Sequence, residues 1–328
     1  MMELRQLGES GPMVGAIGLG CMSFAGFYGM ASEEESHKTL AKALDLGVTH
    51  LDTAERYGDG KSEEIIGRFI KDHPNRFTIA TKGGILTQPV RAFDNSEAGL
   101  RRALEGSLKR LGVDHVDLYY VHRREPERPI EEVTETMAAF VKEGKIGGIG
   151  FSEISPSSLR RAASVHPIRA VQSEYSLWSR MPEIGLIRAC RELGTAFVAF
   201  SPLGRGIFNE KFLDTAALGP MDFRRVNPRF EEPNFTLNCE AIARFNDYAR
   251  SQGMTSATMA LAWVLHQAPH IIAIPGTRSP EHLVQDAAGG SLKLTEAQCW
   301  EIDRLLPPGF AHGDRYSYTQ LQGVERYC

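Results

Sequence analysis

Short apolar runs alternate with longer amphipathic stretches along almost the whole chain. The apolar runs are AIGLGCM (16–22), THLDTA (49–54), FTIATK (77–82), VDLYYVH (116–122), IGGIGFS (146–152), AVQSEYS (170–176), AFVAFSP (196–202) and HIIAIPG (270–276). Each has the length and character of a buried strand. The stretches between them carry helix start and stop signals. SEEESHKTLAKALDLG opens on Ser32 with Glu35 three residues later, a capping box, and stops at Gly47. PIEEVTETMAAFVKEGK has proline and then acids in its first turn and stops at Gly144. SPSSLRRAASVH and MPEIGLIRACRELG follow the same grammar. Ahead of the first unit, MELRQLGESGPMVGAIG reads as a β-hairpin around a Gly-Glu-Ser-Gly turn.

Eight β-then-α units predict parallel strands joined by helical crossovers, and eight strands close a barrel. The competing architecture, an open doubly wound sheet, calls for a G-x-G-x-x-G turn after its first strand. GLGCMSFAG supplies Gly18 and Gly20 but has Ser23 where the third glycine belongs. The expected fold class is therefore α/β: a (β/α)8 TIM barrel with an N-terminal hairpin and extra helices, as a single domain over 1–328. Two segments break the rhythm. One is a long connection, 203–237, followed by an extra helix at 239–253; the other is a tail, 306–328, beyond a last helix at 295–305. Long connections without structure of their own are commonly functional.

Composition narrows the partners. A net charge of −4 over 328 residues argues against nucleic acid or an anionic membrane as the main partner. The five cysteines, Cys21, Cys190, Cys239, Cys299 and Cys328, are scattered, odd in number and without CxxC spacing. Neither a disulfide framework nor a metal site is expected, and a reducing, cytoplasmic setting fits. No signal peptide or membrane span is read.

Chemistry at a barrel of this kind sits at the C-terminal ends of the strands. Three successive ends carry four groups that handle protons: Asp52 with Tyr57 just beyond, Lys82 in ATKGG, and His122 in YYVHRRE. Singly, each is ordinary loop chemistry; together they make a site. An ammonium near a phenol favours phenolate and is expected to lower the phenol pKa from about 10. Asp52 would hold Lys82, Lys82 would act on Tyr57, and His122 would give a second hydrogen bond to a substrate oxygen. A Schiff-base role for Lys82 needs a desolvated neutral amine, which Asp52 opposes.

LDTAERYG, ATKGG, VDLYYVHR, GKIGGIGFSE, VQSEYSLWSR, FSPLGRG and IPGTR occur in this order. The set resembles the aldo-keto reductases, in particular their YakC-type and pyridoxal reductase-like branch, and it runs from the first strand to the last helix. The resemblance implies NADPH-dependent reduction of an aldehyde or ketone, with Asp52, Tyr57, Lys82 and His122 as the tetrad and Tyr57 as general acid. It also implies how NADP(H) is held. Ser152 and Gln172 would bond the carboxamide, and Phe200, in place of a more usual tyrosine, would stack on the nicotinamide. Gly20, Met22 and Asp52 would lie beside it. Ser201, Pro202, Leu203, Gly204, Arg205 and Gly206 would follow the pyrophosphate. Gly276, Thr277 and Arg278 would take the adenosine phosphate at a helix N-terminus. His282, Gln285 and Asp286 would lie near the adenine, where a basic residue and a Glu-Asn pair are more usual.

The substrate side is read from aromatics. Phe24, Phe27 and Tyr28 after the first strand, Trp178 after the sixth, and Tyr316 and Tyr318 in the tail are candidates for an apolar mouth, with Phe24, Tyr28, Tyr57 and His122 in contact with substrate. The Arg-Arg pairs at 123–124 and 224–225 suit either an acidic substrate or solvated surface. Two other readings remain open: an NADP-binding regulatory or sensor subunit with little turnover, or an NADP-dependent dehydrogenase of a sugar or polyol. The expected partner is a small carbonyl compound, and the chain is expected to be a monomer or homo-oligomer.

Overall fold

The structure, a computed structural model, describes residues 2–29, 31–86, 92–220 and 222–327; Cys328 lies outside them. The first two strands, β1 (Leu4–Gln6) and β2 (Met13–Gly15), form the antiparallel hairpin, paired Leu4 to Gly15 and Gln6 to Met13. The barrel strands follow: β3 (Leu19–Gly20), β4 (His50–Asp52), β5 (Thr78–Gly83), β8 (Leu118–Val121), β9 (Ile149–Ser152), β10 (Ile168–Glu174), β11 (Ala196–Phe200) and β12 (Ile271–Ile274). They pair in parallel in chain order, and bridges from Ile17 to Ala273 and Gly20 to Gly276 close the ring. A small antiparallel ribbon, β6 (Ile85–Leu86) with β7 (Ala92–Phe93), rises from the end of β5 and was not foreseen.

The helices are α1 (Glu33–Leu46), α2 (Lys61–Lys71), α3 (Glu97–Leu111), α4 (Ile130–Lys142), α5 (Pro156–Ala163), α6 (Leu186–Glu192), α7 (Asn234–Ser251), α8 (Ser256–His266), α9 (Pro280–Gly289) and α10 (Glu296–Leu305). The capping box at the head of α1 is formed in both directions, Glu35 N–H to Ser32 Oγ at 3.1 Å and Ser32 N–H to Glu35 Oε2 at 2.9 Å. Gly47 and Gly144 take the left-handed conformation that ends α1 and follows α4. One expectation needs correction, and one helix was not foreseen. The 203–237 connection is not structureless: it holds four 3-10 turns, three of them capped by Asp214, Asp222 and Asn227, and α7 begins inside it at Asn234. Helix α8 is buried along nearly its whole length, so it has no polar stripe for an amphipathic reading to find.

Within the barrel the side chains alternate. Ala80, Leu118, Tyr120, Ala170, Ala196, Val198, Ile272 and Ile274 share the interior cluster. Their odd-numbered neighbours, among them Ile79, Tyr119, Phe151, Val171 and Phe197, belong to the outer core against the helices. Leu7 and Val14 of the hairpin join the interior cluster and close the N-terminal end. Arg5 ties the hairpin there through bonds of 2.6–2.9 Å to the carbonyls of Leu265, Ala268 and Ile271. The opposite end stays open.

Candidate active site

Strand period 2 decides which residues reach that open end. Gly20, Asp52, Lys82, His122, Ser152, Gln172, Phe200 and Ile274 continue the even, inward-facing series to the C-terminal strand ends. All of these but the fully buried Lys82 line one cavity of about 520 Å³. Gly150, next in the series below Ser152, leaves room for the Tyr120 ring, which a Cβ there would meet at 2.3 Å.

Lys82 is fully buried and bonds to Asp52 Oδ1, to the Thr53 carbonyl at 2.9 Å and to Tyr57 Oη at 3.4 Å. The Gln172 amide donates to the other carboxylate oxygen of Asp52 at 2.7 Å. Tyr57 meets His122 edge to face, 5.9 Å between ring centroids. Its loop is pinned: Tyr57 N–H bonds the Ala54 carbonyl, Ser62 N–H bonds the Tyr57 carbonyl, and the Ser62 hydroxyl joins Thr53 to the Cys21 carbonyl. Gly58, Asp59 and Gly60 all take positive φ, so the chain reverses sharply after Tyr57 before α2 starts.

The electrostatics correct one expectation. Desolvation pushes the Tyr57 phenol above its ordinary value, and the pull of Lys82 does not offset it. Tyr57 therefore keeps its proton at neutral pH. Burial opposes the charge on Lys82, but Asp52 and Tyr57 outweigh it and raise its pKa, so it stays an ammonium.

The expected cofactor residues divide into those at the cavity and those beyond it. Gly20, Met22, Asp52, Ser152, Gln172, Phe200, Ser201, Pro202, Leu203, Arg205, Gly206 and Gly276 line it; Gly204, Thr277, Arg278, His282, Gln285 and Asp286 do not. The Ser152 hydroxyl accepts from Arg123 Nη1 at 2.9 Å. The guanidinium of Arg205 forms a buried pair with Glu174 at 2.8 Å. Arg278 donates to the Tyr28 carbonyl at 3.1 Å. His282 is exposed on the first turns of α9, whereas Asp286 is buried and desolvation pushes its carboxyl up to about 7.

Among the substrate candidates, Phe27, Tyr28, Tyr57, His122 and Tyr316 line the cavity. Phe24 does not: the 3-10 turn Cys21–Ala25 sets residues three apart on one side, and Phe24 is buried in the core with Cys21. Trp178 packs edge to face on Phe208 and Phe230 in the core, and Tyr318 is 83% exposed.

One buried charge cluster went unread. Glu174 is fully enclosed and bonds Arg205, Ser179 and Arg315, while Glu153 bonds Arg315 at 2.5 Å. Although burial favours the neutral acid, Arg205, Arg315 and Arg229 hold the Glu174 carboxyl below the usual range. The cluster fastens the tail across the mouth and sets Tyr316 in its wall, over the Arg205 guanidinium at 4.7 Å. The signal was present in the repeated Ser-Glu at 152–153 and 173–174, where two consecutive strands end.

Fold and cavity together define a (β/α)8 barrel with an acid–base cluster at the floor of its C-terminal mouth. Comparison with known proteins gives the family. The sequence profile of the Aldo/keto reductase family matches residues 16–307. The chain is 40% identical over 311 residues to aldo-keto reductase yakc of Schizosaccharomyces pombe, a protein named for NADP(+), covering 92% of each. It is 40% identical over 322 residues to aldo-keto reductase str7 of Strobilurus tenacellus, covering 95% of this chain and 94% of that one. Among solved structures, glycerol dehydrogenase AKR11B4 of Gluconobacter oxydans superposes with a TM-score of 0.84 at 27% identity, over 92% of this chain and 94% of that one. An aldo-keto reductase of Klebsiella pneumoniae in complex with NADPH does so with a TM-score of 0.74 at 29% identity, over 97% and 99%. The chain belongs to the aldo/keto reductase family.

Proposed function

We propose that the protein, acting as one domain over 1–328, is an NADP(H)-dependent reductase of small aldehydes or ketones with Tyr57 as the proton donor. The observation that carries this reading is the contact of one phenol with a buried Lys82–Asp52 pair at the floor of the cavity. The residues present fit the cofactor. Phe200 offers a ring face, Ser152 accepts from Arg123 and donates to no acceptor among the described residues, and the mouth is large enough for an extended ligand. Bound there, NADPH supplies the hydride.

The chain's own groups do the rest. Tyr57 remains a phenol through neutral pH because burial disfavours phenolate. Its O–H faces the position where charge develops on the carbonyl oxygen, with His122 beside it. As the proton leaves, the Lys82 ammonium stabilises the phenolate, and Asp52 keeps Lys82 charged and in place. Gln172, bonded to Asp52, fixes the carboxylate from the far side. The raised pKa of Lys82 counts against a nucleophilic amine.

A second reading is polyol oxidation through the same groups in reverse, favoured by the name of the Gluconobacter relative. Oxidation of NADPH, with NADH as control, across a panel of aldehydes, sugars, quinones and pyridoxal tests the proposal. Turnover on at least one carbonyl is expected. Tight NADPH binding with no oxidation on any substrate would favour a sensor subunit instead.

A further inference from the structure

Four arginines among the described residues line the cavity, and three have a carboxylate partner: Arg56 with Asp59, Arg205 with Glu174, and Arg224 with Asp222. The fourth, Arg123, is 8% exposed and forms no ion pair among the described residues. Its Nη1 donates to the His122 carbonyl at 2.7 Å and to Ser152 Oγ at 2.9 Å, both neutral. Its Nε is buried without an acceptor among the described residues, and the tail passes close to its Cβ at Gly323. Among the described residues, Nη2 has no hydrogen-bond acceptor and, unlike Nε, is not among the buried unpartnered atoms. Its neighbour Arg124 shows the contrast, paired with Glu325 at 2.6 Å away from the cavity.

A buried guanidinium without a counter-charge is costly to keep, and its planar fork matches a carboxylate. Among the described residues the one acid lining the cavity, Asp52, is already committed to Lys82 and Gln172. Arg123 follows His122 directly in the chain and lines the same cavity as Tyr57 and His122, so an anion bound to it lies close to the reacting carbonyl.

We propose that Arg123 is the counter-charge for substrate: the site takes a short carbonyl compound bearing a carboxylate, whose oxygens bind Arg123 Nη2 while the carbonyl oxygen meets Tyr57 and His122. This rests on the reductase reading above.

The test compares 3-formylbenzoate with its neutral methyl ester, using NADPH and the full chain. The wild-type protein is expected to favour the acid in kcat/KM. Arg123→Met should lower the acid-to-ester ratio by about 10- to 150-fold, carried by KM, and Arg123→Lys should restore part of it. An unchanged ratio, or a wild-type protein without preference for the acid, would overturn the proposal. So would a loss in both substrates explained by weaker NADPH binding, which would place Arg123 with the cofactor. Calorimetry of benzoate against benzamide on NADPH-loaded protein gives a second reading independent of turnover. Benzoate should bind more tightly, and the advantage should vanish in Arg123→Met; equal binding would overturn the proposal even if neither aldehyde is reduced.

Discussion

Replacing Lys82 with Met separates the structural role of the Lys82–Asp52 pair from its chemical role. Both side chains are almost wholly buried, 0% and 2% exposed. Removing the lysine strands the Asp52 charge in the barrel, with only the Gln172 amide and no cation beside it. Breaking a buried pair this way costs about 3–5 kcal/mol. For a chain of this length the unfolding entropy is about 0.7 kcal/mol/K, so the melting temperature should fall by about 4–7 °C. Adding Asp52→Asn removes the stranded charge while still accepting from Gln172, and should recover at least about half of the loss. Turnover should be absent in both variants, because neither has an ammonium bonded to the Tyr57 hydroxyl. Thermal unfolding of the wild type, the two singles and the double, alongside NADPH oxidation, completes the cycle. If the double variant melts no higher than Lys82→Met, a stranded charge is not the origin of the cost. If the double variant turns over, Lys82 is not needed for chemistry.

Three further outcomes follow from the same groups. Because Tyr57 titrates above its ordinary value, reduction should stay level through neutral pH and fall only above about pH 10; a fall centred near pH 7 would contradict the assignment. Burial raises the Asp286 carboxyl from 3.8 to about 7, so the contribution of this group is fully present below about pH 4 and is lost as pH rises through 7. Asp286→Asn should remove that loss, stabilising the protein at pH 8 by at most about 4 kcal/mol and little at pH 4, as read by melting temperature at the two pH values; equal shifts at both would refute it. Arg315→Gln should free the tail and widen the mouth at Tyr316, so bulky aldehydes should gain relative to small ones in kcat/KM; an unchanged ratio would show that the Glu153 and Glu174 contacts do not set the wall.

The barrel was legible because its pattern is local. Eight short apolar runs separated by capped helices leave little choice of topology, and period 2 within each run carries the last inward residue to the mouth. Asp52, Lys82 and His122 were found because each stands at the C-terminal end of one of three successive strands, with Tyr57 just beyond the first of them. What escaped depended on three-dimensional balance. Phe24 looked like a mouth aromatic until a 3-10 turn placed it beside Cys21 in the core. The phenol shift had the opposite sign because burial outweighs one nearby ammonium, and burial cannot be read from spacing. Arg123 and Arg124 are adjacent and identical, yet one lines the cavity without a counter-ion among the described residues and the other pairs with a glutamate 201 residues away. Glu153 and Glu174 became visible as a pair only when the tail folded back to bring Arg315 between them.

The most direct test of the central claim is Tyr57→Phe, which removes one oxygen from the cavity floor. NADPH should bind with a dissociation constant within about threefold of wild type, and carbonyl-dependent NADPH oxidation should fall by about 10²-fold or more, the contribution of a positioned proton donor. Full turnover in the Tyr57→Phe variant with NADPH binding intact would contradict the assignment of Tyr57 as the acid.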